Sequence, residues 1–312
     1  MSAPEKLTNK PASNSTKVII FALAANLGIA LTKFAGALFT KSASLLAESI
    51  HSLADCANQI FLLIGAKKSQ KPADEKHPLG YGRESFFWSF LVAILLFSMG
   101  GVFAIYEGLH KLSATQQELK MPYIGVVILI ISILLEAASF YACLKEVKRQ
   151  NIHGSLWQWF RKSTASDLVV IFMEDLAALL GLVVALFFLI VAILTGNSMW
   201  DAVGSIAIGV LLVIVSYLLA YEVKSLLVGE APSENYKEAI AHQFLAQDPD
   251  MKILKFVALV TGNNEILVSL KILPGSCTSS LALINTINRA EIAIKQQFPE
   301  IKWLFVEPDN ED

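Results

Sequence analysis

Charged residues are scarce in this chain of 312 amino acids: Asp, Glu, Lys and Arg make up 17% of it, against about 25% in an ordinary soluble domain. There is no excess of positive charge either, since 25 Lys and Arg stand against 27 Asp and Glu. This balance argues against a nucleic-acid partner. The three cysteines, Cys56, Cys143 and Cys277, fit neither a disulfide framework nor a CxxC zinc site. The low fraction of charged residues argues against a soluble enzyme.

Long hydrophobic runs are what the chain does have, and hydrophobic residues make up 54% of it. A helix needs about 20 apolar residues to cross the ~30 Å hydrocarbon core of a lipid bilayer. Six runs approach that length, at residues 18–39, 43–66, 86–110, 122–144, 167–194 and 200–228. The sequence therefore predicts an α-helical membrane protein with six transmembrane helices.

Lys and Arg are distributed unequally around these runs. Thirteen lie in residues 1–17 and around the loops that follow the second and fourth runs, whereas three lie on the other side. Because positively charged loops tend to remain in the cytoplasm, both termini are expected there. Residues 1–16 are polar and resemble neither a signal peptide nor a transit peptide, so a short cytoplasmic tail is expected. In a bacterium, the membrane would be the cell (inner) membrane.

The residue pattern changes after Gly229, where the long apolar runs end and polar and apolar residues become mixed. Three domains are therefore predicted: the N-terminal tail 1–16, a six-span transmembrane domain 17–228 and a cytoplasmic domain 229–312. Within the last, the patterns predict a helix at 233–247, strands at 252–261 and 264–273, a helix at 278–297 and a strand at 301–306. This αββαβ order is typical of a small α+β, ferredoxin-like domain. Its seven Lys and Arg against twelve Asp and Glu favour a protein interface over an anionic membrane surface.

The second run contains three ionisable residues, Glu48, His51 and Asp55. Each costs roughly 2.5–3.5 kcal/mol to insert at the centre of a membrane helix, so each is a candidate functional residue. His51 and Asp55 lie about 40° apart around the helix and ~6 Å apart along it, so imidazole and carboxylate can share one ion. Glu48 lies on nearly the same face.

The fifth run contains Asp167, Glu174 and Asp175 but no basic residue. A divalent metal between the second and fifth runs would satisfy both sets, since imidazole and carboxylate are ordinary ligands of Zn²⁺ and its neighbours. The alternative is that these side chains are protonated and join helices by hydrogen bonds.

That alternative is hardest to sustain for His51, Asp55 and Asp175 together. Glu48 and Asp167 lie nearer the ends of their runs, where they can reach water, and Glu174 fits both interpretations. Glu48, Asp167 and Asn26 are also candidates for a position beside the metal or for proton coupling. Lys33 in the first run and Glu136 in the fourth are interpreted as reaching an interface or a water-filled cavity.

Three motifs, HSLAD in the second run, HPLGYGRES before the third and EDLAALLG in the fifth, resemble those of the cation diffusion facilitator family. The resemblance extends from about residue 17 to residue 308 and implies six spans, an αββαβ cytoplasmic domain and a homodimer. It also implies that His51 and Asp55 form one half of a metal transport site and that Asp175 belongs to the other half.

The chain departs from the family pattern at its metal sites. Ile171 stands where most members have His or Asp, four residues before Asp175, so the adjacent Glu174, a water or Asn26 would complete the ligand set. The Glu-Asp pair resembles the branch that contains the animal mitochondrial zinc transporter and its bacterial relatives. In the loop, Asp74 and His77 match a family metal site whose second histidine is replaced by Tyr81, so the site is expected to be weak or absent.

The function expected from these observations is efflux of a divalent cation by exchange for protons, with Zn²⁺ as the leading candidate for the cation. No prosthetic group is implied. Transport of Mn²⁺, Fe²⁺ or Co²⁺ by the same fold is one alternative, and a non-transporting scaffold or sensor is another. An intramembrane metalloenzyme is disfavoured because the chain has no HExxH motif.

Overall fold

A computed structural model describes residues 13–113, 121–149, 155–232, 236–275 and 279–311. The first twelve residues of the predicted N-terminal tail lie outside this range, as do Cys277 and the predicted starts of two helices at positions 233 and 278. The described chain is mostly helical, with one small sheet near its C-terminal end.

The helices of the N-terminal two thirds match the predicted spans closely. They are α1 (Ser13–Thr40), α2 (Ala43–Ser69), α3 (Glu84–Leu95) followed by a π-helical segment (Leu96–Val102) and α4 (Phe103–Ser113), α5 (Pro122–Arg149), α6 (Leu156–Lys162), α7 (Ser166–Thr195) and α8 (Met199–Val228). The short helix α6 has no counterpart among the predictions. Ser155 caps its N-terminus, and the Ser155 hydroxyl accepts a hydrogen bond from the Gln158 backbone N–H in a capping box.

Four helical segments among the described residues are long and apolar enough to cross a membrane: Glu84–Ser113, Pro122–Lys148, Ser166–Thr195 and Met199–Val228. Helix α2 is 27 residues long but contains the ionisable residues Glu48, His51 and Asp55. Its polarity is thus concentrated where the site was predicted. The helical membrane fold with a small α+β domain is confirmed.

The chain divides into two compact units. The first comprises the described parts of residues 1–60, 95–138 and 176–213, and the second comprises those of 61–94, 139–175 and 214–312. In the first unit, α8 approaches the π-helical segment closely at two glycines. A Cβ built on Gly209 would lie 2.7 Å from the Gly101 carbonyl oxygen, so only a residue without a side chain permits this packing.

The second unit contains the αββαβ domain: α9 (Tyr236–Leu245), β1 (Lys252–Gly262), β2 (Glu265–Leu273), α10 (Ser280–Gln297) and β3 (Ile301–Pro308). The strand order is β1-β2-β3, with β1 antiparallel and β3 parallel to β2. Alternate residues of β2 are buried and form a core with both helices. This core includes Ile266, Val268, Leu270, Ile272, Ile240, Phe244, Ala290 and Ile294. The predicted αββαβ order is confirmed.

The same unit contains a close approach between the turn after β1 and the loop before α3. A Cβ built on Gly82 would lie 2.7 Å from the Thr261 carbonyl oxygen and 3.0 Å from Gly262 Cα. Backbone meets backbone here, which leaves no room for a side chain on either glycine. The tip of the β1–β2 hairpin is therefore held against the segment that leads into α3.

Candidate metal centre

The second-span half of the predicted site lies on one face of α2. His51 and Asp55 are separated by one helical turn, and 3.5 Å separates His51 Nδ1 from Asp55 Oδ1. The His51 side chain is 1% exposed, and within the described residues neither ring nitrogen makes a hydrogen bond. Gly100 of the π-helical segment lies beside the imidazole, where a Cβ would be 3.7 Å from Nδ1. The prediction that imidazole and carboxylate share one helical face is met by this geometry.

Glu48, one turn before His51, is completely buried. Its Oε2 oxygen lies 3.5 Å from Lys33 Nζ of α1, and Lys33 also donates a hydrogen bond to Ser52 Oγ at 2.8 Å. Glu48 is thus shielded from water, and Lys33, expected to reach an interface or a water-filled cavity, is 1% exposed and faces Glu48 instead. The physical reason is that each charge finds its partner on a neighbouring helix, so neither needs solvent.

The fifth-span half lies on α7. Glu174 is 7% exposed, and Asp175 is partly buried and accepts a hydrogen bond from Ser139 Oγ of α5 at 3.2 Å. Ile171, one turn before Asp175, is 38% exposed and has no ligand atom to offer. Two carboxylates are thus adjacent in sequence on a helix that contains no Lys or Arg.

The two halves belong to different compact units, since His51 and Asp55 lie in the first and Glu174 and Asp175 in the second. Their assembly into one site stays a prediction. Across the five described stretches of the chain, no three His, Cys, Asp or Glu side chains form a cluster that could hold a metal ion. Asn26, the other candidate for completing the ligand set, is partly buried on α1.

The loop before α3 uses its candidate metal ligands for internal contacts. Tyr81 donates a hydrogen bond from its hydroxyl to Asp74 Oδ2, and the His77 backbone N–H donates to Asp74 Oδ1, both at 2.7 Å. The Tyr81 hydrogen bond, with help from the His77 N–H, holds the pKa of the Asp74 carboxyl below its ordinary value. The imidazole of His77 packs against the Tyr81 ring, with 4.2 Å between centroids. Tyr81, which replaces a family ligand, thus occupies the carboxylate that a metal would need.

Asp167 contacts the αββαβ domain. Its Oδ2 oxygen accepts a hydrogen bond from Asn263 Nδ2 at 2.6 Å. Ser166, the preceding residue, donates to Asn263 Oδ1 from both its backbone N–H and its hydroxyl. A place for Asp167 beside the metal or in proton coupling stays a prediction.

Asp201 at the start of α8 is a buried carboxylate that the sequence analysis missed. It accepts hydrogen bonds from the Ser42 and Ser44 hydroxyls and from the Ala43 backbone N–H at the beginning of α2, and Lys111 Nζ lies 3.6 Å away. A carboxylate in this position satisfies the free N–H groups of a helix and interacts favourably with its dipole. The signal available in the sequence was the Ser-Ala-Ser segment, which is typical of a helix start. Asp201 therefore fixes the end of the helix that presents His51.

Comparison with known proteins assigns the chain to a family. Residues 19–228 match the cation efflux transmembrane domain, which is more than half of the chain. The chain therefore belongs to the cation efflux family, the cation diffusion facilitators, whose members are membrane transporters and not enzymes. The resemblance based on the three motifs is confirmed.

Two relatives are named for zinc or metal. The proton-coupled zinc antiporter SLC30A9, mitochondrial, of Mus musculus is 30% identical over 240 residues, which cover 76% of this chain and 42% of that protein. Metal tolerance protein C4 of Arabidopsis thaliana is 32% identical over 252 residues, covering 78% and 51%. The chain thus spans about half the length of these relatives. An uncharacterized transporter of Methanocaldococcus jannaschii, MJ0449, is 27% identical over 237 residues, covering 74% and 76%.

Proposed function

We propose that the protein exports a divalent metal cation from the cytoplasm in exchange for protons, and that this cation is Zn²⁺. The observation that carries this proposal is the pair formed on one face of α2 by the buried His51 and the partly buried Asp55, with both imidazole nitrogens free of hydrogen bonds within the described residues. A buried imidazole beside a carboxylate is an ordinary metal-binding pair. Asp175 and Glu174 of α7 would supply the remaining oxygen ligands.

Proton exchange follows from the chemistry of the ligands. His51 must be neutral, and Asp55 and Asp175 must be ionised, before they can bind a metal. Protons and metal therefore compete for the same atoms. Alternating access of such a site to the two sides of the membrane would exchange one for the other.

The choice of Zn²⁺ rests on the ligand types and on the relatives. One imidazole with several carboxylates is a borderline ligand set: the nitrogen suits Zn²⁺, Co²⁺ or Ni²⁺, whereas a set richer in oxygen favours Mn²⁺. The name of the mouse relative specifies proton-coupled zinc antiport. Transport of Mn²⁺, Fe²⁺ or Co²⁺ is the alternative within this fold.

The proposed architecture has a transport domain at 17–228 and a cytoplasmic domain at 229–312. Both termini lie on the cytoplasmic side of the cell membrane. A homodimer is proposed from the family resemblance. It would be helped by apolar side chains such as Val257 and Phe305, which are paired in register with Ser269 and about half exposed on the sheet surface opposite the domain's core.

The test is metal uptake into proteoliposomes under an imposed pH gradient, with Zn²⁺, Mn²⁺, Fe²⁺ and Co²⁺ compared. Wild type should accumulate Zn²⁺, and Asp55→Asn and Asp175→Asn should each abolish accumulation. Glu75→Gln, a carboxylate-to-amide change in the exposed loop, is the matched control and should retain transport. Folded wild-type protein that moves none of the four ions would favour the scaffold or sensor alternative.

A further inference from the structure

The lysine of α1 is the most deeply buried cation among the described residues. Lys33 is 1% exposed, and its ammonium lies between Ser52 Oγ at 2.8 Å and Glu48 Oε2 at 3.5 Å. Burying a charge is costly unless it is paired and hydrogen-bonded, and this geometry supplies both. Because Ser52 follows His51 directly in sequence, the ammonium is fixed beside the helix face that carries the metal ligands.

Glu48 is held from a second side by α7. A Cβ built on Gly181 would lie only 2.6 Å from Glu48 Oε1, so the carboxylate occupies space that any other residue at position 181 would fill. Glu48 is therefore directed toward Lys33 and Gly181.

Glu48 would otherwise be a natural third ligand. It lies three residues before His51 on nearly the same helical face, within the spacing at which helical side chains meet. If Glu48 also bound the metal, its oxygens would join those of Asp55 while His51 remained the single nitrogen ligand. The ligand set would then be richer in oxygen. Such a set favours Mn²⁺ over Zn²⁺.

We infer that Lys33 determines metal specificity by holding Glu48 out of the metal's coordination shell. The ammonium acts as a resident cation that takes the place a transported ion would otherwise have at this carboxylate. The inference rests on the proposed function of His51 and Asp55, and it assigns to Lys33 a positioning role that neither the family match nor the relatives' names state.

The first test removes the ammonium. Lys33→Met should release Glu48 to bind the metal and so raise the ratio of Mn²⁺ to Zn²⁺ transport about tenfold. A factor of ten is about the effect of one interaction with a charged group. Lys33→Met combined with Glu48→Gln should restore the wild-type ratio, because the released ligand is gone. Lys33→Arg, which keeps the charge, should retain it. Lys145→Met, at an exposed position on α5, is the matched control.

A binding measurement separates this inference from transport itself. Co²⁺ bound to detergent-purified protein should show strong visible absorption in wild type, as expected of low coordination, and weaker absorption in Lys33→Met after an oxygen ligand is added. Should Lys33→Met fail to fold, Lys33→Gln keeps a donor for Ser52 and serves in its place. An unchanged metal ratio with an unchanged Co²⁺ spectrum in the folded variant would overturn the inference, as would the absence of Co²⁺ binding in wild type. Loss of transport with an intact, Lys33-dependent Co²⁺ spectrum would overturn the proposed antiport instead.

Discussion

Asn263, at the tip of the β1–β2 turn, donates a hydrogen bond to Asp167 Oδ2 at 2.6 Å and accepts two from Ser166. One side-chain amide thus satisfies both a carboxylate and a free N–H group at the first turn of α7. Asp175 lies eight residues further along this helix, roughly 12 Å away. The αββαβ domain is therefore attached to the helix that carries the candidate ligands Glu174 and Asp175.

Replacement of Asn263 by Leu should weaken this attachment. Asp167 and Ser166 would lose their partners, and a buried polar group left without one costs about 1–3 kcal/mol. We expect a lower melting temperature and faster hydrogen exchange at the first turn of α7. Asn310→Leu, at an exposed position, is the control and should change neither quantity. Equal melting temperatures for the two variants would contradict a structural role for Asn263.

Gly82 offers a steric test of the neighbouring contact. In Gly82→Ala the new methyl group would meet the Thr261 carbonyl oxygen at 2.7 Å, so the backbone must move. We expect destabilisation of about 1–3 kcal/mol, the usual range for overpacking, measured by thermal unfolding in detergent. Gly28→Ala on α1 has no atom within 4 Å of its new methyl group and should be neutral or stabilising.

Asp201→Ala should destabilise the protein more than either change above. It removes the acceptor of three hydrogen bonds at the start of α2 and leaves the Lys111 ammonium without its buried partner. Breaking a buried pair on one side costs about 3–5 kcal/mol. Glu107→Ala, one turn from Lys111 on α4, serves as the comparison. Similar melting temperatures for the two variants would show that Asp201 is not a cap.

The loop hydrogen bond predicts a pH dependence with a definite sign. Because the Tyr81 hydroxyl lowers the pKa of Asp74, the ionised carboxylate contributes stability above its unfolded pKa of about 3.9. That contribution is lost as the pH falls through the lowered folded pKa. Tyr81→Phe should move the Asp74 midpoint upward, measured by carbon NMR of the carboxyl group in nanodiscs. A midpoint that stays in place would mean that the hydroxyl does not bond to Asp74 in solution.

The proposed orientation can be checked with single cysteines. Cys56 and Cys143 are buried, so in a Cys277→Ser background labelling should report on introduced residues. A membrane-impermeant thiol reagent applied to intact cells should label Met199→Cys, at the first residue of α8, but not Lys76→Cys, before α3. Both positions are exposed, which makes them a matched pair. The reverse pattern would place the termini outside.

The lengths of the apolar runs predicted the membrane helices well because a bilayer imposes a minimum length that local packing cannot alter. The residue pattern of 264–273 likewise predicted strand β2, and the structure shows that its alternate residues are buried. Partner choice was harder, since Lys33 and Glu48 lie on different helices and their pairing depends on how each helix is rotated. The same reason hid Asp201, which is 157 residues from Ser44 in sequence.

The π-helical segment Leu96–Val102 was not predicted either, because no residue type specifies it. Such a segment contains hydrogen bonds five residues apart where its surroundings have them four apart. One residue more is therefore wound into the third span than an uninterrupted α-helix would hold over that stretch, and Gly100, beside His51, lies within it. A relative whose third span is α-helical throughout would need a one-residue gap in its sequence alignment here, and without that gap every position on one side of it would be compared with the wrong neighbour.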